Sequence, residues 1–183
     1  MAARIRIYVQ QSIALAYPDM GDRWIGEDVP LDSSPERSGI CAPVITMQNL
    51  VKDIPANSMR WCILRGGMFV GRNTAQDEII QRLHAGQEVI PGDGRNFISP
   101  VHANDMASAI AEALEHAPNA SVFNINADPV REGDYADTLA AAIGAGKPHR
   151  DLKRPNPSSF RCSNNSAKEP VTVFIRRGTK RHK

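Results

Sequence analysis

The segment Val89–Leu114, with the sequence VIPGDGRNFISPVHANDMASAIAEAL, decides the fold class of this chain. Its Gly-Asp-Gly turn at residues 92–94 leads into a short extended run, Phe97–Val101, and a helix follows. Asp105 is predicted to be the N-cap of this helix, because a short acidic side chain can accept hydrogen bonds from free first-turn amides. One face of the helix is predicted to be buried, since apolar residues recur at helical spacing: Met106, Ile110, Ala113 and Leu114.

The rest of the chain alternates predicted strands with predicted helices. The strands are Arg4–Val9, Arg60–Leu64 and Ser121–Ile125. The helices are Ser38–Val51, Ala75–Ala85 and Gly133–Ile143. In the first of these helices, the predicted inward face holds Ile40, Val44, Met47, Leu50 and Val51. Loops are predicted at Pro18–Arg37, Arg65–Arg72 and Lys147–Pro170, and a weak last strand at Val171–Ile175. This alternation indicates an α/β fold with a largely parallel sheet.

Length and composition favour a single globular domain in the cytoplasm. The 183 residues are 42% hydrophobic, and no apolar run reaches the roughly 18 residues needed to span a bilayer. No signal peptide is predicted, and the three cysteines lack metal-type spacing, so free thiols in a reducing compartment are expected. No metal site is predicted.

Charge is concentrated at the end of the chain. The stretch after Pro170 carries five cations and no acid, more than the whole chain's net charge of +2, so the remainder is net negative. Nothing in that remainder indicates a nucleic-acid surface. We therefore predict one domain over residues 1–169 and a disordered basic tail over 170–183. The tail is either a native interaction segment, a truncated end or the product of a shifted reading frame.

The periodicity of the segment Val89–Leu114 alone fits an ordinary strand–turn–helix unit, but its amino-acid sequence is more specific. It resembles the "G-x-G-x-N-x-x-S-x-V-H-x-x-D-x-A-x-A-I" segment of the extended short-chain dehydrogenase/reductase superfamily, in its NAD-dependent epimerase/dehydratase family. Arg4–Ile13 resembles the family's "V-Y-V-S-S-I/A" strand end, and Ile63–Gly71 resembles its "I-L-R-P-G-N-V-Y-G" run. Arg161–Asn164 is a looser match to the C-terminal segment. The resemblance implies a partial Rossmann-like, NAD(P)-binding parallel sheet with a smaller C-terminal substrate lobe.

The resemblance also implies roles for single residues. Ser12 matches the catalytic serine that hydrogen-bonds the reacting oxygen. The loop that passes the nicotinamide ring supplies the cofactor-binding candidates Arg65, Gly66 and Gly67. The substrate-binding candidates are Met68, Phe69 and His102. Gly66 and Met68 stand where the family has proline and asparagine, which implies the loss of a polar substrate contact.

Two family features are missing from the sequence. The catalytic Tyr-x-x-x-Lys pair aligns with Ile40 and Val44, neither of which can ionise. The glycine-rich loop that receives the cofactor pyrophosphate is absent, because the chain starts at what resembles the fifth strand. The family uses NAD or NADP, and binding of either by this chain alone is not expected.

Three functional hypotheses follow. The first is an epimerase/dehydratase-like protein for a nucleotide sugar or a related hydroxy or carbonyl compound, truncated and catalytically impaired alone. The second is a non-enzymatic module that needs a partner, either a second copy or a separate N-terminal half. The third is a non-functional remnant that folds poorly. No nucleic-acid or membrane partner is expected.

Overall fold

A computed structural model describes residues 6–55 and 57–163 of the chain. The predicted weak strand Val171–Ile175, the basic tail and Asn164 lie outside the described residues, as do the first two residues of the predicted strand Arg4–Val9.

The described residues form nine strands and four α-helices, named here in chain order. The strands are β1 (Ile7–Ile13), β2 (Arg60–Gly66), β3 (Met68–Val70), β4 (Val89–Pro91), β5 (Phe97–Ile98), β6 (Pro100–His102), β7 (Ser121–Ile125), β8 (Val130–Arg131) and β9 (His149–Asp151). The helices are α1 (Ser38–Lys52), α2 (Ala75–His84), α3 (Ala103–His116) and α4 (Glu132–Ala142). The three predicted strands and four predicted helices in this part are confirmed, with changes of boundary.

The central sheet is parallel and has the order β1–β2–β7. Its first strand differs from the prediction, since it starts at Ile7 and continues to Ile13. Ser12 is therefore part of the strand rather than the segment after it. In the register of the sheet, Ser12 lies opposite Arg65, and Arg65 lies opposite Asn124. The carboxyl ends of all three strands thus meet at one edge.

The main core lies between this sheet and α3. Cys62, Leu64 and Phe123 from the sheet pack against Met106, Ala109 and Ala113, which are all buried. The alanines are small enough to let the helix approach the sheet closely. Two predictions for α3 were wrong: Leu114 is 46% exposed, and the N-cap is His102 rather than Asp105. The His102 Nδ1 atom accepts a hydrogen bond from the Asn104 amide at 3.2 Å.

Helix α1 covers the opposite face of the sheet. Its Val51 packs with Trp61 and Ile63 of β2, and Cys41 and Gln48 are also buried. The predicted inward face was wrong in two places, because Ile40 is 48% exposed and Leu50 is 68% exposed. The helix is turned so that a polar residue, Gln48, faces the sheet.

Short strand pairs extend the structure beyond the central sheet. β3 pairs with β6 and β4 with β9, both in parallel, whereas β5 and β8 are antiparallel. The segments predicted as loops at Arg65–Arg72 and Lys147–Pro170 therefore include β3 and β9. Two backbone segments pass close to each other at Gly67, since a Cβ atom on Gly67 would lie 1.9 Å from the Ser99 carbonyl oxygen.

Candidate functional site

Polar side chains meet at the carboxyl ends of the central strands, where ligands bind in open parallel sheets. Ser12, Arg65 and Asn124 come from β1, β2 and β7, and each is 3% exposed or less. Gln48 reaches them from α1. Its Nε2 donates to Ser12 Oγ at 2.7 Å, and its Oε1 accepts from Arg65 Nη2 at 2.9 Å.

The same buried network continues on the other side of Arg65. Arg65 Nη1 donates to the Tyr17 hydroxyl oxygen at 2.6 Å and to the Glu27 carbonyl oxygen at 3.1 Å. The Tyr17 hydroxyl donates in turn to Asn124 Oδ1 at 2.8 Å. The Arg65 guanidinium also lies 4.9 Å from the centre of the Tyr17 ring. We call Ser12, Tyr17, Gln48, Arg65 and Asn124 the buried polar network.

Tyr17 is the tyrosine of this network, and its environment keeps it protonated. Burial raises the pKa of Tyr17 to about 12, although the neighbouring Arg65 acts in the opposite direction. Its hydroxyl is fully occupied by one donor and one acceptor. A general base works best with a pKa near the working pH. Tyr17 is therefore not suited to accept a proton at neutral pH.

The residue types of the network explain its stability. An arginine side chain in the interior must direct its N–H groups at acceptors, because an unpaired buried charge is very costly. Here an amide, a phenol and a backbone carbonyl accept from the two Nη atoms, whereas Nε has no hydrogen-bond partner among the described residues. The sequence analysis did not identify Tyr17, Gln48 or Asn124. The signal for Gln48 was its position between Val44 and Val51, where a polar residue interrupts the apolar face.

A separate cavity of about 290 Å³ lies on the other side of these strand ends. Its wall is largely apolar and includes the segments Ile13–Leu15 and Gly66–Met68. Asn96, Ser99, Glu132 and Phe160 complete much of the remaining wall. We call this the apolar cavity.

The structure divides the predicted site residues between different surroundings. Gly66, Gly67 and Met68 line the apolar cavity. Ser12 and Arg65 direct their side chains into the buried polar network. Phe69 packs against the main core. His102 caps α3 and is exposed, and its ring lies beside Gly71. The functional roles of these residues remain predictions.

Three further observations concern the described residues as a whole. Cys41, Cys62 and Cys162 are free and buried. Residues 6–55 and 57–163 contain no group of three or more His, Cys, Asp or Glu side chains placed to hold a metal ion. None of their helices has the length and apolar character required to cross a membrane.

The sequence and the structure gave different results when compared with known proteins. No protein-family model and no curated protein matches the sequence. The structure is similar to human epimerase family protein SDR39U1 with NADPH, with a TM-score of 0.68 and 22% identity over 79% of this chain. It is also similar to MoeE5 in complex with UDP-glucose and NAD, with a TM-score of 0.76 and 18% identity over 93% of the chain.

A third similar structure is the Thermus thermophilus UDP-glucose 4-epimerase complex with NAD, with a TM-score of 0.69 and 17% identity over 93% of the chain. The chain spans 48%, 60% and 58% of the lengths of these three proteins, in the same order. At such low identities the likeness concerns the fold. The chain therefore has a Rossmann-like α/β fold of the kind found in these NAD- and NADPH-bound structures.

Proposed function

We propose that this chain is an epimerase/dehydratase-like domain that forms the nicotinamide and substrate side of an NAD- or NADP-dependent site. The observation that supports it most is the combination of two features at one sheet edge. Ser12, which resembles the family serine in the sequence, is the penultimate residue of β1, and the Gly66–Met68 segment beside it lines a cavity of about 290 Å³. In the family, this segment passes the nicotinamide ring and begins the substrate pocket.

We further propose that the chain is catalytically impaired on its own. Ile40 and Val44 occupy the positions of the proton-transferring pair, and neither can exchange a proton. The Ser12 hydroxyl is 3% exposed and already bonded to Gln48, so a substrate oxygen has no direct access to it. The pyrophosphate-binding loop would have to come from residues other than these 183.

The proposal can be tested with the two halves of the cofactor. Reduced nicotinamide mononucleotide carries the redox-active half, and AMP carries the other half. We expect the first to shift the backbone amide NMR signals of Gly66, Gly67 and Met68 in a saturable way. We expect AMP to leave them unchanged, because the adenosine side of the site is missing. Gly146 serves as an internal reference, because no atom lies within 4 Å of the place that a Cβ atom would take there.

Two results would contradict the proposal. One is the absence of any response to reduced nicotinamide mononucleotide, and the other is an equal response to AMP. Impairment is tested separately by following NADH oxidation with a panel of carbonyl compounds. The wild-type rate should equal that of a Ser12→Ala variant, and a much higher wild-type rate would show that the chain is active alone.

A second candidate function is a non-enzymatic module that pairs with a partner. It is favoured by the position of β1, which has a strand on one side only among the described residues. The unpaired N–H and C=O groups of such an edge readily bind another strand. A second copy of the chain is the simplest partner, and its test belongs with the whole molecule below.

A further inference from the structure

We infer that the apolar cavity takes a small, uncharged and mainly apolar carbonyl or alcohol compound, and that it excludes nucleotide sugars. This inference rests on the proposed function, because it treats the cavity as the substrate pocket of that site. One of the similar structures is a complex with UDP-glucose. A charged nucleotide sugar and a neutral apolar compound make opposite demands on a pocket.

The wall of the cavity favours an apolar ligand. Ile13, Leu15, Met68, Ile98 and Phe160 contribute aliphatic or aromatic side chains to it. Burial of apolar ligand surface against such groups is favourable by about 25 cal/mol for each Å². Small-molecule sites are typically apolar with a few polar groups that fix orientation. In this cavity Asn96 and Glu132 can serve that purpose. The Ser99 hydroxyl cannot, because it donates to the Phe160 carbonyl oxygen and accepts from the Cys162 amide.

The charge of the wall disfavours a phosphate-bearing ligand. Among the described residues that line the cavity, Glu132 carries the only formal charge at neutral pH, and that charge is negative. One of its carboxylate oxygens accepts from Asn96 Nδ2 at 2.8 Å, so the carboxylate is held at the wall. The diphosphate of a nucleotide sugar carries two negative charges. Binding it here would bring like charges together with no lysine or arginine to offset them.

Two amides at the start of α4 are not available to a phosphate. Phosphates often bind the free amides at a helix N-terminus. At this helix, the Glu132 amide donates to the Asn96 carbonyl oxygen at 3.0 Å. The Gly133 amide donates to the Gly94 carbonyl oxygen at 2.9 Å. The first two amides are therefore occupied by the protein itself.

Arginines near the cavity are already paired with carboxylates. Arg37 donates to the carbonyl oxygen of the lining residue Leu15, but it is bound to Asp32 at 3.1 Å and does not line the cavity itself. Two other arginines belong to a neighbouring surface pocket. Arg95 and Arg131 line that pocket together with Asp19 and Asp22, so its charges are balanced. Arg131 is bound by both Asp22 carboxylate oxygens, at 2.7 and 2.9 Å, and its guanidinium lies 3.8 Å from the centre of the Phe97 ring. A diphosphate would have to displace Asp22 from Arg131.

The volume of the cavity also favours a small ligand. A volume of about 290 Å³ is at the lower end for sites that hold drug-sized ligands. It suits a compound with one or two rings. A nucleoside joined to a hexose through a diphosphate is considerably larger.

The test compares α-tetralone, a neutral two-ring ketone, with UDP-glucose by following the thermal unfolding of the full chain. A ligand that binds only the folded state raises the midpoint in a concentration-dependent way. We expect a saturable increase with α-tetralone and none with UDP-glucose. Leu15 lines the cavity and is 45% exposed, so Leu15→Lys should fold normally while placing a hydrated cation at the cavity. It should weaken α-tetralone binding tenfold or more.

Leu114→Lys is the matched control, because Leu114 is 46% exposed and lies on α3, away from the cavity. It should leave α-tetralone binding unchanged. The inference is overturned if α-tetralone gives no shift, if UDP-glucose gives a saturable shift that Leu15→Lys alters, or if both lysine variants act alike. These outcomes are distinct from failure of the proposed function, which is read from the response to reduced nicotinamide mononucleotide.

Discussion

At the level of single residues, Gln48 has the clearest structural role. It is 1% exposed, and its amide connects the hydroxyl of Ser12 with the guanidinium of Arg65. Both partners are buried, so each would be left in the interior without this bond if the amide were removed. Ser12 is therefore positioned by a residue of α1.

Gln48→Leu should lower the free energy of unfolding by about 3 kcal/mol, because a hydrogen bond to a buried charge is lost and Arg65 Nη2 is left unpaired. Gln48→Glu keeps an acceptor for Arg65 and should cost less than about 1 kcal/mol. Chemical denaturation measures both values. Gln81→Leu, an exposed glutamine on α2, is the matched control and should stay within about 0.5 kcal/mol of wild type. A Gln48→Leu variant as stable as this control would contradict the role assigned to the network.

Because Tyr17 is buried, we expect the folded protein to lose stability in alkaline solution. Its pKa is about 12 in the folded state, against an ordinary value of 10.0. The folded state therefore holds the proton more tightly, and this contribution is complete below pH 10 and is lost as the pH rises to 12. The expected loss is on the order of 3 kcal/mol. Cys162 acts in the same direction, because burial raises its pKa to about 11.

The measurement is the free energy of unfolding between pH 9 and 12 for wild type and Tyr17→Phe. The variant keeps the cysteines, so the difference between the two curves isolates the tyrosine. We expect a steeper decline in wild type. Parallel curves would show that Tyr17 ionises equally in the folded and unfolded chain.

Sequence reasoning identified several site residues but not the directions in which their side chains point. Ser12 and Arg65 were recognised from the strand-end text, and both lie at the carboxyl edge of the sheet. A pattern with period two does not say which neighbour a polar side chain will find. That depended on Gln48 and Tyr17, which are 36 and 48 residues away from their partners Ser12 and Arg65. Only the folded chain brings these groups together.

At the level of secondary structure, two residues at the start of α3 can be compared as N-caps, His102 and Asp105. His102 accepts a first-turn amide, whereas Asp105 lies within the first turn. His102→Ala should therefore cost about 1 kcal/mol, and His102→Asn, which can still cap, should cost less. Asp105→Ala should cost only about 0.5 kcal/mol, through its interaction with the helix dipole. A larger loss for Asp105→Ala than for His102→Ala, measured by denaturation, would restore the original N-cap prediction.

Gly67 is a glycine that the fold itself requires. A Cβ atom there would lie 1.9 Å from the Ser99 carbonyl oxygen, which also accepts the Met68 amide at 2.8 Å. Since the obstacle is backbone, Gly67→Ala should cost about 3 kcal/mol or more. Gly146→Ala meets no atom within 4 Å and should be close to neutral. Equal thermal midpoints for the two variants would contradict this close approach.

The order and type of the main elements could be predicted because each has a clear local pattern. The buried run in β2 and the alanine-rich spacing of α3 are examples. The rotation of α1 could not be predicted, because its apolar residues surround much of the helix and the sequence does not show a partner for Gln48. The short strands β3 and β9 were also missed, since three residues are too few for a periodic signal and each is fixed by pairing with a distant segment.

At the level of the whole molecule, the open edge of β1 is the feature that bears on association. The Arg60 amide donates to the Arg6 carbonyl oxygen, so the even-numbered residues of β1 direct their backbone groups towards β2. The odd-numbered residues then direct theirs towards the open side. The Gln11 carbonyl oxygen fits this pattern, because it accepts a bond from the Gln10 side chain at 2.7 Å rather than from a strand.

Gln11→Pro should therefore remove an edge donor without disturbing the β1–β2 pairing, because proline is tolerated where the strand N–H faces away from the ladder. If a second copy pairs along this edge, light scattering of the wild-type protein should give twice the chain mass of 20.0 kDa. Gln11→Pro should return it to the single-chain mass, and Gln11→Ala, which keeps the N–H, should not. A wild-type monomer with a cooperative melt would exclude self-pairing, and a Gln11→Pro dimer would move the interface away from β1.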